Sequence, residues 1–227
     1  MKKMIKLKSL LTKLKEPTKV CKICLNNCKS ATFYSFIHDD YCLCDNCQKK
    51  LKPKFIPFKH GDVKCMAIYE YDAEMKSLIY QFKGCYDIAL SEVFLNTFKR
   101  ELYLLYKGYM VIPAPSYHTE DLKREFNHVI EIFSSLHLPI ERLITKTDNI
   151  KQSSLKKSER TSISKHLKMS NIEMVKNKKV LLVDDIHTTG STIQACINLI
   201  KPGQPKDIKV LVVAKTKDDK QHIRNNA

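Results

Sequence analysis

The residues from Val183 to Thr192 read VDDIHTTGST and combine two carboxylates with small hydroxyl-bearing residues around a glycine. Backbone N–H groups in such a turn bind phosphate when a helix follows, and glycine permits close approach. Adjacent carboxylates can accept hydrogen bonds from sugar hydroxyls and hold magnesium. The string therefore predicts a sugar-phosphate site, although each residue alone fits an acidic strand end before a helix cap. The expected ribose and magnesium ligands are Asp184 and Asp185, and the expected phosphate ligands are Thr188, Thr189, Gly190, Ser191 and Thr192.

Two cysteine pairs form a second group with chemical potential. Cys21 and Cys24, then Cys44 and Cys47, are each two residues apart, with 19 residues between the pairs. A two-residue gap lets two sulfurs of one tight turn face the same ion, and two such turns close a tetrahedral shell. This spacing predicts a structural zinc ion in a short finger that lacks a core of its own. Cys28 or Cys42 could replace one ligand, and free thiols or a redox pair are the alternative.

Alternating strand and helix patterns surround the acidic string. Strands are predicted at residues 63–71, 109–112, 141–145, 179–183 and 209–214, and helices at 73–82, 86–106, 120–136 and 191–201. Near-continuous apolar strands that alternate with helices indicate an α/β fold with a parallel sheet covered by helices on both faces. In such a sheet ligands bind beyond the carboxyl ends of the strands, which is where the acidic string is expected to lie.

The composition divides the chain into four predicted parts. Residues 1–20 form a basic leading segment with an amphipathic helical pattern, 21–52 the four-cysteine finger, 60–216 the α/β domain, and 217–227 a polar tail. No apolar run has the roughly 18 residues of a transmembrane helix, and lysines interrupt the signal-like N-terminus, so a cytoplasmic protein with reduced cysteines is expected. A net charge of +16 fits either a Lys-rich composition or attraction to a polyanion.

The acidic string resembles the sugar-phosphate motif of the phosphoribosyltransferase family, and a four-cysteine finger ahead of it resembles the ComF family. Four further strings are similar to that family: Leu78 to Lys83 (LIYQFK), Val111 to Ser116 (VIPAPS), Arg124 to Asn127 (REFN), and Gln152 with Leu155 and Arg160. Glu125 stands where the family has glycine. The residues His118 to Asp121 (HTED) also depart from it, since more arginine is expected there.

The resemblance implies a phosphoribosyltransferase-like fold that binds phosphoribosyl pyrophosphate with magnesium. It places candidate pyrophosphate ligands in the loop after the second strand and at two arginines. These residues are Ala114, Pro115, Ser116, Arg124 and Arg160. A proline-stiffened connection is the alternative for the loop. Lys83 is a weaker candidate, and the side chain of His187 is expected to point to solvent.

The ComF resemblance implies a competence-associated role in the uptake or processing of single-stranded DNA, with competence-machinery proteins as further partners. An active phosphoribosyltransferase with an unidentified nitrogen acceptor, and a ligand-sensing module without turnover, are the two alternatives. The basic charge and the finger permit DNA binding. No row of aromatic side chains, which binding of single strands would use, can be identified from the sequence.

Overall fold

The computed structural model describes residues 20–28, 43–146 and 166–217. The chain divides into two compact units, Met1–Lys50 and Leu51–Ala227. The predicted N-terminal helix, the polar loop that contains Arg160, and the predicted tail from residue 218 onward lie outside the described residues. None of the helices in the described part of the chain has the length and apolar character needed to span a lipid bilayer.

The described part of the first unit includes a short helix, α1, at Asp45–Lys50. Residues 20–28 form a tight turn in which the Leu25 N–H donates to the Cys21 carbonyl over 2.8 Å. Leu25 has a positive φ of 58°, and Val20 and Asn27 form an antiparallel bridge across the turn. The turn thus reverses the chain within a few residues, which brings both cysteines of the first pair to one side of it.

A five-stranded sheet organises the second unit. The strands are β1 (Ile56–His60), β2 (Val63–Glu70), β3 (Tyr109–Pro113), β6 (Lys179–His187) and β7 (Asp207–Lys215). They lie in the order β1–β2–β7–β6–β3. The β1–β2 pair is antiparallel and the other three pairs are parallel. The predicted parallel sheet is therefore mixed, because β1 turns back on β2 as an edge strand.

Helices and short connections cover this sheet. The helices are α2 (Ala73–Gly84), α3 (Ser91–Leu95), α4 (Lys99–Tyr106), α5 (His118–Arg124), α6 (His128–Ser134) and α7 (Ser191–Ile200). Single 3-10 turns occur at Ile88–Leu90, Asn96–Phe98, Ile172–Val175 and Lys201–Gly203. The helix predicted at 86–106 is interrupted at Asn96–Phe98, and the one predicted at 120–136 is split into α5 and α6.

Buried strand residues hold these helices on both faces of the sheet. Val180 and Leu182 of β6 share a buried apolar cluster with Ile193 and Ile197 of α7. Asp185, at an odd position of the same strand, contacts His128 of α6. Because successive strand side chains point to opposite faces, α6 and α7 cover opposite sides of β6. The core therefore lies on both sides of the strand that carries the acidic pair.

The predicted strand at 141–145 belongs to a different sheet. β4 (Ile144–Lys146) pairs antiparallel with β5 (Leu167–Met169) in a separate two-stranded sheet. Leu143, Ile144 and Leu167 are buried in the same apolar cluster as α7. This small sheet therefore extends the core on the α7 side without adding a strand to the main sheet.

Candidate functional site

Strand β6 positions the acidic pair. The strand was predicted to end at Val183, but its pairing with β7 continues to His187, so both aspartates lie within the strand. Asp185 is buried and its Oδ1 accepts a 2.8 Å hydrogen bond from the Ile186 N–H. Asp184 is partly exposed. The regular strand therefore fixes the two carboxylates at its carboxyl end.

A polar chain holds Asp185 from the α6 side. Lys83 Nζ lies 2.8 Å from Asp185 Oδ2, and His128 Nε2 lies 3.4 Å from the same oxygen. Arg124 Nη1 lies 2.7 Å from His128 Nδ1. Because a guanidinium can only donate, Nδ1 is the acceptor and the ring proton is on Nε2, facing Asp185. Arg124, His128 and Asp185 thus form one directed chain of hydrogen bonds.

The pKa values of the two aspartates move in opposite directions. Burial alone raises the pKa of Asp185, but the hydrogen bond from His128 and the charge of Lys83 outweigh burial and hold that pKa below its usual range. Burial, followed by the charge of Asp185, raises the pKa of Asp184 well above its usual value. Burial also lowers the pKa of His128 despite its contact with Asp185, so this ring is neutral at pH 7. Asp184 is therefore the carboxylate whose ionised form a nearby cation would stabilise most.

The loop after β6 carries the residues that are predicted to bind a phosphate. Gly190 has a φ of 74° and stands directly before α7, where it offers no side-chain acceptor to the first N–H groups of the helix. Thr188, Thr189 and Ser191 are exposed, and Thr189 Oγ1 lies 3.1 Å from Ser191 Oγ. The Ser191 N–H donates only a long, 3.5 Å hydrogen bond to Thr189 Oγ1. N–H groups at a helix start together with clustered hydroxyls suit a phosphate. We call residues 188–192 the cradle loop.

A histidine pair, which the sequence analysis missed, lies against the cradle loop. The Nε2 atoms of His60 and His187 are 2.7 Å apart, so one ring donates to the other. His187 is buried and its ring centroid lies 4.5 Å from that of Phe58. The expectation that His187 points to solvent is therefore wrong, because the β1 edge strand covers it. A β-carbon at Gly190 would lie only 2.1 Å from His60 Nε2.

The loop after β3 lies beside the acidic pair. Pro113 pairs with Val183, and the Ala114 N–H donates to the Val183 carbonyl over 2.7 Å. Ala114 and Pro115 are buried, and Ser116 is partly exposed. The parallel pairing of β3 and β6 therefore brings this loop and the acidic strand end to the same edge of the sheet.

Lys146 adds a cation at this edge that the sequence analysis did not single out. Its Nζ lies 4.2 Å from the centroid of the Tyr117 ring. Burial lowers its pKa, although the charge of Asp184 acts in the opposite direction. A Lys at the end of a three-residue strand carries no sequence signal, because only the β4–β5 pairing brings it here.

Asp121 is the centre of a hydrogen-bond network on the β3 side. Its Oδ2 accepts from Ser116 Oγ and from Asn127 Nδ2, the latter over 2.7 Å. Arg124 Nη1 lies 4.0 Å from Asp121 Oδ1. The departure from the family at HTED therefore places a carboxylate where it binds the loop and the adjacent arginine.

The REFN string joins α5 to α6. Arg124 is buried against His128, and Phe126 packs on Phe82 with ring centroids 5.4 Å apart. Asn127 caps α6 by accepting from the Ile130 N–H over 3.0 Å. Glu125 adopts a left-handed conformation with φ 64°, which favours the glycine found in the family. Arg124 thus contacts His128 in this structure. Arg160 lies outside the described residues.

The four predicted cysteines come together in the first unit. The sulfurs of Cys21, Cys24, Cys44 and Cys47 all lie within 4.8 Å of one another. Cys24 and Cys44 are 3.6 Å apart, close to the roughly 3.8 Å of a tetrahedral shell with Zn–S bonds of about 2.3 Å. The group can therefore hold a metal such as zinc. Cys28 is not one of the four, and Cys42 lies outside the described residues.

Hydrogen bonds favour the ionised form of one sulfur in this group, that of Cys21, whereas burial raises the pKa of the Cys47 thiol. Burial acts against ionisation of Cys21, but hydrogen bonds from the backbone of Cys44, Cys24 and Ile23 bring its pKa down to about 6. A thiolate is the form that binds zinc. The second cysteine pair enters helix α1, so its turn continues as a helix.

The model of the phosphoribosyl transferase domain family matches residues 128–227. The chain is 29% identical over 216 residues to the competence protein ComFC of Streptococcus pneumoniae, with 83% of this chain and 96% of that protein covered. It is also 26% identical over 129 residues to ComFC of Bacillus subtilis, covering 56% of this chain and 53% of that protein. These matches support the ComF family for this chain.

The chain has the predicted phosphoribosyltransferase-type fold, with a mixed sheet between helices. Solved structures that resemble it include the hypoxanthine phosphoribosyltransferase of Staphylococcus aureus, at 13% identity and a TM-score of 0.37, covering 57% of this chain and 67% of that chain. The Trypanosoma cruzi enzyme in complex with the product IMP has 13% identity and a TM-score of 0.38, covering 55% and 75%.

Proposed function

We propose that this ComF-family chain is a competence-associated protein that binds phosphoribosyl pyrophosphate with magnesium and handles single-stranded DNA. The observation that carries the ligand assignment is the course of β6, which leads the aspartate pair directly into the cradle loop at the start of α7. The names of the two ComFC relatives support the competence role.

The donor chemistry of the acidic pair fits magnesium. Carboxylate oxygens are the ligands that this ion prefers. Asp184 is the better candidate for direct contact, because the pKa of its carboxyl is raised by burial and by the charge of Asp185. A bound magnesium ion would neutralise charge on the pyrophosphate group. Asp185, held by Lys83 and His128, fixes the position of the strand end and can accept from a ribose hydroxyl.

The remaining ligand contacts divide between the two loops. The cradle loop would bind the 5-phosphate through N–H groups of the first turn of α7 and through the hydroxyls of Thr188, Thr189, Ser191 and Thr192. The loop from Ala114 to Ser116 would face the pyrophosphate. We assign Lys146, beside Tyr117 and near Asp184, as the cation most able to complete this side. Arg124 would act indirectly, through its contact with His128.

Calorimetry with magnesium phosphoribosyl pyrophosphate tests the ligand assignment. Wild-type protein should give saturable heat, and Asp184→Asn should lose most of it because the amide carries no charge for the cation. Glu101→Gln, an exposed acid on α4, is the matched control and should bind like the wild type. Equal heats for Asp184→Asn and wild type would reject the site. No heat from folded wild type would reject the ligand.

The ComF resemblance and the net charge support the proposed DNA role. A net charge of +16 provides many cations for phosphate contacts. Binding of a labelled single strand, followed by fluorescence anisotropy, should weaken linearly on a log–log plot of affinity against salt. An affinity that does not change with salt would contradict this role.

We also propose that the four-cysteine group binds one structural zinc ion. Metal analysis of purified protein should find about one zinc per chain. Cys24→Ser should lose it, whereas Cys85→Ser, which changes an exposed cysteine outside the group, should keep it. Zinc retained in full by Cys24→Ser would disprove this ligand set.

A further inference from the structure

A groove of about 530 Å³ lies along helix α2, beside the candidate ligand site. Lys76, Tyr80 and Gly84 recur at helical spacing and present one face of α2 to it. Tyr71 and Ile186 complete the side that adjoins β6. This volume is in the range of small-molecule sites, so the groove has room for a planar ring as well as a side chain.

The Tyr80 ring is an exposed platform with a fixed position. Its residue is 66% exposed, which is high for a large aromatic side chain. A β-carbon built on Gly84 would lie only 2.9 Å from Tyr80 Cε2, so the ring lies directly against the glycine. The absence of a side chain at Gly84 therefore lets the ring lie on the end of the helix and keep one face open.

The groove carries positive charge. Its described lining contains two lysines, Lys76 and Lys83, and no carboxylate. Lys83 also contacts Asp185, which joins the inner end of the groove to the acidic pair. An exposed aromatic face next to lysines is the combination that binds single-stranded nucleic acid, because the ring stacks on a base while the cations contact phosphates.

The chemistry of the lining favours a strand over a free nucleobase. A pocket that selects one base needs polar groups that read its hydrogen-bonding edge. The groove exposes mainly carbon surface, although Tyr71 and Ser77 also line it and carry hydroxyl groups. Among the described residues it contains no amide or carboxylate side chain that could read a base edge. Stacking without edge recognition binds any base, which suits a polymer of arbitrary sequence.

We propose that the α2 groove binds a base of single-stranded DNA by stacking on Tyr80, with Lys76 beside the backbone phosphates. This inference rests on the proposed DNA role and assigns it a location. It also supplies the aromatic contact that could not be identified from the sequence. The groove is separate from the cradle loop, so loss of Tyr80 should leave phosphoribosyl pyrophosphate binding intact.

A comparison of two oligomers isolates the base. Anisotropy is measured with labelled oligothymidylate of about 12 nucleotides and with an abasic oligomer of the same length, at one salt concentration. Wild type should prefer oligothymidylate. Tyr80→Ala should weaken oligothymidylate binding roughly tenfold and leave the abasic affinity unchanged, because only the stacked base is lost. Tyr80→Phe should restore wild-type affinity.

Two further variants control for folding and for tyrosine in general. Gly84→Ala should also weaken oligothymidylate binding, since its β-carbon displaces the ring, while its melting temperature does not fall. Tyr103→Ala, which removes an exposed tyrosine on α4, should bind like the wild type. If Tyr80→Ala binds oligothymidylate like the wild type, or loses equal affinity for both oligomers, base stacking in the groove is wrong while the DNA role stands. Failure of wild type to bind either oligomer overturns the DNA role and the groove together.

Discussion

The two loops that meet at the carboxyl edge of the sheet are constructed differently. The cradle side is contiguous, because residues 184–192 supply the acids, the turn and the first helical turn in order. The β3 side depends on Asp121, which joins Ser116 and Asn127 from either side of α5. A site whose residues are contiguous can be predicted from a short sequence string. A site held by a hydrogen-bond network between separate segments can be identified only from the folded structure.

The largest effect on stability is expected at Gly190, on the cradle side. Gly190→Ala combines a left-handed backbone with a β-carbon about 2 Å from His60, so it should lower the free energy of unfolding by about 2–4 kcal/mol. Ligand heat should also disappear. The measurements are chemical denaturation and calorimetry. Gly61→Ala, also at positive φ but with open space around it, should cost only about 1–2 kcal/mol. Equal losses for the two variants would refute close packing of the loop.

The next largest effect is expected from His128→Ala, which removes the link of the β3 side to Asp185. Buried Arg124 and Asp185 would each lose a partner, so denaturation at pH 7 should show a loss of about 2–3 kcal/mol. Exposed His118→Ala is the control.

The same histidine predicts a dependence on pH. The folded-state pKa of His128 is lowered, so its contribution is present above the unfolded value of about 6.5 and is lost as the pH falls below that value. Wild type should therefore lose stability between about pH 7 and pH 5 more steeply than His128→Ala. Parallel curves would show that this ring is not held neutral.

A smaller effect on stability, in this case an increase, is expected when Asp184 is replaced. Its folded-state pKa is raised, so the ionised carboxylate reduces stability above the unfolded value of about 3.9, and the reduction fades as the pH falls toward that value. Asp184→Asn should therefore melt at a higher temperature than wild type at pH 7, with a difference that shrinks near pH 4. Ligand affinity should drop more than about tenfold. A lower melting temperature at pH 7 would contradict the repulsion described here.

The smallest effect is expected at Glu125, where the β3 side departs from the family. Glu125→Gly relieves the left-handed conformation and should raise the free energy of unfolding by up to about 1 kcal/mol. Thermal melts compare this variant with Glu131→Gly, which places a glycine within helix α6. The second variant should be less stable than the wild type by about 1 kcal/mol. Destabilisation by both substitutions would show that the left-handed conformation of Glu125 is not strained.

These contrasts explain how far the sequence alone could lead. The cradle loop was predicted from one contiguous string and the cysteine group from two short ones, and the structure brings the four sulfurs together. The helix predicted at 120–136 is split because Asn127 caps α6 and Glu125 turns the chain, two local effects that the apolar period hides. β1 was not among the predicted strands. Pro57 lies within it, which an edge strand tolerates.

The missed site residues share one cause. His60 lies 127 positions before His187, and Lys146 reaches Tyr117 only because β4 pairs with β5. Neither residue belongs to a motif, so spacing along the chain gave no signal. His128 is similar, because a histidine at the start of a helix acquires its role only from Arg124 and Asp185.

The position of β7 determines when the fold can form. Among the residues that the structure describes, this strand is the last along the chain, yet it lies in the middle of the sheet, between β2 and β6. During synthesis β2 and β6 therefore remain without their shared neighbour until residues 207–215 have left the ribosome. Folding of the sheet must be completed late and through long-range pairing, which is slow and leaves strand edges open to aggregation in the meantime.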